Sequence, residues 1–194
     1  RKGGSVLLDA FRSSLAGRCE LDIVSDAARI ESEGAIRVHR DLTHEKGGLQ
    51  ALVADADVFV LPTLADCSPL VNIEAMASGL PVVSCDVGAV SEQVVEGETG
   101  LLIPARDPAA LARAVTSLLD DPARRREMGL AGRRHAEERF DGPRNAAAVM
   151  DLMKRVVDAD RERKNVRSRP SSFTPPAAPR PAAPDRAAAA TPTS

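Results

Sequence analysis

Apolar positions along this chain recur in two alternating rhythms. Val6, Leu7, Ala10 and Phe11 repeat at intervals of three and four, which predicts a helix over residues 5–15. Short apolar runs at 20–24 and 35–38 read as strands, and 48–54 as a short helix. Val58-Phe59-Val60-Leu61 is a further strand. A helix opens near Ser68 and Pro69, a favoured cap and a favoured first helical residue, and Gly79 stops it. Residues 82–84 predict a strand, 89–95 a helix and 101–103 the last strand. Three helices then follow: 108–119 behind Asp107, 122–139 behind Asp121, and 145–160 with Val149, Leu152, Met153 and Val156 on one face. Strands alternating with helices predict an α/β fold, a Rossmann-like parallel sheet with helices on both faces.

The rhythm stops near residue 164. Lys164, Arg167, Arg169, Arg180 and Arg186 stand against Asp185 alone, among mostly Pro, Ala, Ser and Thr. Such a segment buries too little apolar surface to offset its ordering entropy. The expected organisation is a domain over 1–140, a helix over 141–163 and a disordered tail over 164–194. The basic tail reads as solvated, with a peripheral contact at the inner face of a membrane as the alternative.

Composition narrows the picture. A 43% hydrophobic content in 194 residues supports one main core. The net charge of −2 gives no field for nucleic acid, and four Phe without Tyr or Trp leave few platforms for stacked bases. Cys19, Cys67 and Cys85 show no C-x-x-C spacing, so zinc and a disulfide framework are not expected and the cytoplasm is the expected compartment. No apolar run approaches the roughly 20 residues that span a bilayer.

The chemistry concentrates between Asp66 and Glu74, which are separated by seven residues. The helix between them begins just past a strand end. The backbone N–H groups of Leu70 and Val71 are free to hold a phosphate there. Glu74 lies four residues after Leu70 and three after Val71 on the same face, one turn behind, where a carboxylate can accept from ribose hydroxyls. Taken singly, each piece has a plain structural reading. Arg1-Lys2 is solvated charge, Gly3-Gly4 a turn, and Glu74 a surface carboxylate favoured by the helix dipole.

In order along the chain, these pieces resemble one family. Asp66 to Glu74 resembles the E-x7-E motif of the GT-B retaining glycosyltransferases, family 4, also called group 1. Residues 57–63, 74–83 and 97–103 resemble the flanking strands and helix, and Arg1-Lys2-Gly3-Gly4 resembles the family's basic-glycine turn. The resemblance covers roughly residues 1–140 and implies the C-terminal, donor-binding half of the fold. It implies that Lys2, helped by Arg1, neutralises a donor diphosphate. Gly3 and Gly4 let the backbone approach it, Leu70 and Val71 bind it, Glu74 holds the ribose, and Asp66 contacts the sugar. It implies no metal or other cofactor. The donor would be a nucleotide diphosphate sugar, and the acceptor a sugar, lipid or small molecule held by an N-terminal domain outside these residues.

The chain departs from the pattern at several points. Asp66 replaces the usual Glu, which draws the carboxylate back by about one C–C bond, ~1.5 Å. Cys67-Ser68-Pro69 replaces a Gly-Phe-Gly type of turn, and Pro69 removes one N–H. Cys67 reads as a buried thiol near the helix. His39 and His44 bracket a loop that in the family nears the base, and His135 reads as a surface residue. In the order 3-2-1-4-5-6 the strand before the basic-glycine turn is central. A chain without it would form two half-sheets with facing unpaired edges. A degenerate, non-catalytic nucleotide-binding module remains the alternative function. An NAD-dependent Rossmann enzyme lacks its G-x-G-x-x-G turn after a strand.

Overall fold

The computed structural model describes residues 1–27, 30–42 and 48–168. His44 lies outside the described residues. The first compact unit is Arg1–Ala146, and a second begins at Ala147.

The first unit alternates as its apolar rhythm predicts. Helix α1 (Gly4–Ala10) continues into a π-helical turn (Phe11–Leu15), and strands β1 (Leu21–Val24) and β2 (Ile36–His39) follow. Next come α2 (Leu49–Asp55), β3 (Phe59–Leu61), α3 (Leu70–Ala77), β4 (Val82–Cys85), α4 (Val90–Gln93) and β5 (Gly100–Ile103). Helices α5 (Pro108–Leu119) and α6 (Pro122–Arg139) complete it. Asp107 and Asp121 cap these two helices by accepting from Ala110 N–H at 2.8 Å and Arg124 N–H at 2.9 Å. Each satisfies one orphan donor of a helix start.

Among the described residues all strand pairs are parallel, and the strands form two sheets, β1-β2 and β3-β4-β5. One apolar core joins them: Ile23 and Ile36 of the first sheet and Val83 and Ile103 of the second are buried with Phe11, Leu111 and Leu118. β4 is central in its sheet and buried along its whole length, as a strand covered on both faces must be. A second cluster, Ala75, Met76, Val82, Val90, Val94 and Ala136, locks α3 and α6 onto the other face.

Two elements differ from the sequence expectation. Helix α4 is a single turn rather than residues 89–95. Val94 turns extended so that Val95 N–H can reach Thr99 Oγ1 at 2.9 Å, and the tight turn through Gly97 (φ 76°) feeds β5. Helix α7 (Gly142–Ser168) runs past residue 164, where the loss of apolar periodicity placed its end. Arg161–Asp158 at 3.7 Å and Lys164–Asp160 at 2.7 Å supply same-face ion pairs that support helix without burial. On α7 the side chains of Val149, Leu152, Met153 and Val156 are exposed. Residues 169–194 of the expected tail lie outside the described residues. No helix among the described residues is long and apolar enough to cross a membrane.

The β1-β2 pair carries a charged cross-strand set. Arg37 sits opposite Asp22 and donates to both of its oxygens at 2.9 Å, and His39 Nε2 lies 2.6 Å from Asp22 Oδ1. The Arg37 hydrogen bond holds the Asp22 carboxyl down at about 2, against partial desolvation and with help from His39. A lowered folded value adds stability above the unfolded value of about 3.9, and that stability disappears as pH falls through the folded value. Asp22→Asn is therefore expected to be less stable than the parent at pH 6, and the gap should close as pH falls from about 4 towards about 2. Denaturant melts across that range check it, and a gap independent of pH would contradict it.

A second expectation concerns the α3–α6 contact. A Cβ at Gly129 would lie 2.1 Å from the Gly79 carbonyl oxygen, whereas at Gly132 the nearest atom is Cγ of the flexible Met76 at 3.3 Å. Alanine is the better helix former by about 1 kcal/mol, yet Gly129→Ala should lose about 1–3 kcal/mol by overpacking. Gly132→Ala should be near neutral. Thermal melts that rank the two variants the other way would refute the close-approach argument.

Candidate functional site

Parallel strands deliver their carboxyl ends to one edge, and β3, β4 and β5 each lead from there into a helix. The turn from β3 to α3 carries most of the candidate chemistry. Phe59–Leu61 ends in Pro62 and Thr63, and the chain crosses Asp66, Cys67 and Ser68 before Pro69 starts the helix. Pro69 is the cap residue, extended at φ −72° and ψ 114°, and no side chain caps the helix. Ser68, expected as the cap, sits one residue too early. Its hydroxyl instead accepts from Gln93 Nε2 at 2.8 Å. The backbone N–H groups of Leu70 and Val71 open α3, with no carbonyl inside the helix to bond, and both residues are exposed. Glu74 follows in the next turn, about 5.4 Å of rise further on, and is exposed. Its backbone carbonyl accepts from Ser78 N–H at 3.0 Å and from the Ser78 hydroxyl at 2.9 Å.

The basic-glycine residues lie against this turn. Leu64 N–H donates to the Arg1 carbonyl at 2.9 Å, beside the end of β3. Thr63 is fully buried beneath it, with its hydroxyl 3.4 Å from the Ala65 carbonyl. Gly3 adopts φ 76°, and a Cβ there would fall 1.8 Å from the Pro62 carbonyl oxygen, so only glycine fits this crossing. Gly4 begins α1. The crossing brings Lys2 to Asp66, and Lys2 Nζ forms an ion pair with Asp66 Oδ2. Lys2 is half exposed and Asp66 is largely covered, at 53% and 16% side-chain exposure. The cation thus remains open to a ligand while the carboxylate is held in place. Arg1 is exposed at the same edge.

A third segment supports the turn, and the sequence pattern did not single it out. Gly88, at φ 59°, packs so closely that a Cβ would lie 2.0 Å from the Asp66 carbonyl oxygen. Ala89 N–H donates to the Cys67 carbonyl at 2.9 Å. The readable signals were a glycine just before a helix start and a glutamine, Gln93, on the apolar stripe of Val90 and Val94. Cys67 is exposed rather than buried, because its inward anchor is the backbone carbonyl.

Neither of the described histidines, His39 and His135, belongs to this turn. His39 ends β2 and is engaged with Asp22. His135 is half buried, not a surface residue, and packs edge-on against Phe140 with ring centroids 5.7 Å apart. It lines a cleft of about 540 Å³ with Ser68, Ser91, Gln93, Arg139 and Phe140, and this cleft meets the β3–α3 turn at Ser68.

The architecture and this turn can be set beside known proteins. Residues 1–121 match the family model described as glycosyl transferases group 1. D-inositol 3-phosphate glycosyltransferase of Streptomyces avermitilis is 41% identical over 108 residues, covering 56% of this chain and 23% of that protein. Alpha-maltose-1-phosphate synthase of Mycolicibacterium smegmatis is 40% identical over 114 residues, covering 56% and 30%. Sucrose-phosphate synthase from Thermosynechococcus elongatus superposes with a TM-score of 0.71 at 30% identity, over 82% of this chain and 43% of that one. Anabaena HepE, solved in complex with UDP-glucose, shares the fold with a TM-score of 0.68 at 20% identity, over 79% and 45%. The chain thus matches less than a third of the length of these two curated relatives. Its match to the family model, its parallel α/β architecture and its likeness to these structures show that the chain belongs to the group 1 glycosyltransferases, of the GT-B fold.

Proposed function

We propose that this chain is the donor-binding part of a retaining glycosyltransferase that takes a sugar from a nucleotide diphosphate sugar. The observation that carries the reading is the Lys2–Asp66 ion pair beside the start of α3, with Glu74 one turn along the same helix. The diphosphate would lie at the N–H groups of Leu70 and Val71, and the turn through Gly3 and Gly4 would let the backbone approach it. A cation is needed there because negative charge grows on the diphosphate as the glycosidic bond breaks. Lys2 supplies it, with Arg1 at the rim, and in this reading no metal ion takes that part. An arriving diphosphate competes with Asp66 for Lys2 and so releases the Asp66 carboxylate to accept from the sugar's hydroxyls. Glu74 accepts from the ribose.

The acceptor, a sugar, lipid or small molecule, is held in this reading by protein beyond these residues, since the curated relatives are several times longer than the matched stretch. The two separate sheets support the same view. Among the described residues no strand pairs with the outer edge of β3, and a further parallel strand there would pair its N–H and C=O groups. The three free thiols fit the cytoplasm. A second reading, a nucleotide-binding module without transfer, draws on the short Asp66 side chain.

Calorimetric titration of the full-length protein with UDP and GDP tests the site itself, and absence of binding to both would overturn it. Binding without transfer to any acceptor would favour the second reading. Glu74→Ala should weaken free nucleotide by about 1.5–3 kcal/mol, the loss of a charged hydrogen bond. Asp66→Ala should spare free nucleotide and weaken the nucleotide sugar. Equal losses on both ligands in both variants would refute this division.

Lys2→Ala should lower turnover more than it raises the donor KM, because its charge matters most as the leaving group departs. Near-normal kcat at saturating donor would reduce Lys2 to a solvated charge. EDTA should leave transfer unchanged, and a loss restored by a divalent cation would contradict the metal-free reading.

A further inference from the structure

Gln93 is a polar residue in an apolar position. It lies in the single turn of α4 between Val90 and Val94, both fully buried, and is itself 1% exposed. A buried amide is unfavourable unless hydrogen-bonded. The Gln93 amide spends both of its ends on the opening of α3. Its Nε2 donates to Ser68 Oγ at 2.8 Å, and its Oε1 accepts from Asn72 Nδ2 at 3.5 Å. Ser68 stands immediately before Pro69, and Asn72, fully buried, stands in the first turn of the helix. One side chain therefore spans the stretch that contains the N–H groups of Leu70 and Val71. The start of the same segment, Gly88-Ala89, already holds Asp66 and Cys67 by close backbone contact.

We infer that Gln93 is a positioning residue that sets the phosphate-binding geometry at the start of α3 by tying Ser68 to Asn72. The inference rests on the donor-site reading above. Gln93 touches no ligand in that reading. Its effect passes through the helix opening, where a diphosphate lies, and does not reach Glu74 a turn further on, where a ribose lies. Its loss should thus be felt by the phosphates and not by the nucleoside. General loosening of the fold would weaken both alike.

The test compares binding of UDP with uridine, and GDP with guanosine, by calorimetry on the full-length protein. The variants are Gln93→Met, which keeps the volume and removes the amide, and Ser68→Ala, which cuts the same bond from its exposed end. Each should lower the nucleotide-to-nucleoside affinity ratio by about three- to tenfold, the range of one hydrogen bond, with nucleoside affinity unchanged. The double variant should fall no further than Gln93→Met alone, because that change already removes the Ser68 bond along with the one to Asn72. Should Gln93→Met fail to fold, Ser68→Ala alone decides: an unchanged ratio overturns the inference and a lowered ratio supports it. Additive losses, or equal weakening of nucleoside and nucleotide, also overturn it. If the parent protein binds neither nucleotide, the donor-site reading fails and the inference with it. If the parent discriminates and the variants keep its ratio, the inference alone fails.

Discussion

The close approach of Gly88 to the Asp66 backbone is the contact on which the candidate site depends. A parallel sheet brings the ends of β3 and β4 side by side, and the turns that leave them must share one narrow edge. Gly88 has no Cβ, so the second turn can press on the first at a distance no other residue permits. Ala89 then pairs with the Cys67 carbonyl and Gln93 with Ser68. Gly3 repeats the device on the other side by crossing Pro62. The carboxylate of Asp66 is thus flanked by two glycine-permitted crossings, and Lys2 arrives with one of them.

This arrangement divides rigidity from reach. The backbone of the β3–α3 turn is held by packed glycines, a buried Thr63 and a buried amide. The groups that would meet a ligand, Arg1, Lys2, Leu70, Val71 and Glu74, are exposed. A preformed backbone with open side chains suits recognition of an anion, because the donors need no reordering when it arrives. The Lys2–Asp66 pair fits the same logic. The half-exposed Lys2 can turn to a ligand from the solvent side while the largely covered Asp66 keeps its place.

Much of the fold was legible in the residues. The alternating rhythms located the five strands of the described residues, and Asp107-Pro108 and Asp121-Pro122 marked two helix starts that the structure places at the same residues. These signals are local: capping and amphipathic burial act within a few residues and leave their mark on a short window. The failures have both local and distant causes. α4 is cut short because Val95 N–H finds Thr99 Oγ1. The cap of α3 moves from Ser68 to Pro69 because the serine hydroxyl is already taken by a residue 25 positions away. The end of α7 lies further on because ion pairs between neighbouring turns replace an apolar face.

The sequence by itself determined the parallel α/β architecture and the family, because these follow from periodicity and from motifs read within short windows. It named Lys2, Asp66 and Glu74 but could not say that Lys2 and Asp66 pair, since 64 positions separate them along the chain. It offered no role for Gly88, Ala89 and Gln93. Only the tertiary structure decided those matters, and it did so through the sheet. Adjacent parallel strands put the turns after β3 and β4 within backbone contact, and contact at that range selects a glycine and a buried amide whose purpose no single segment of the chain reveals.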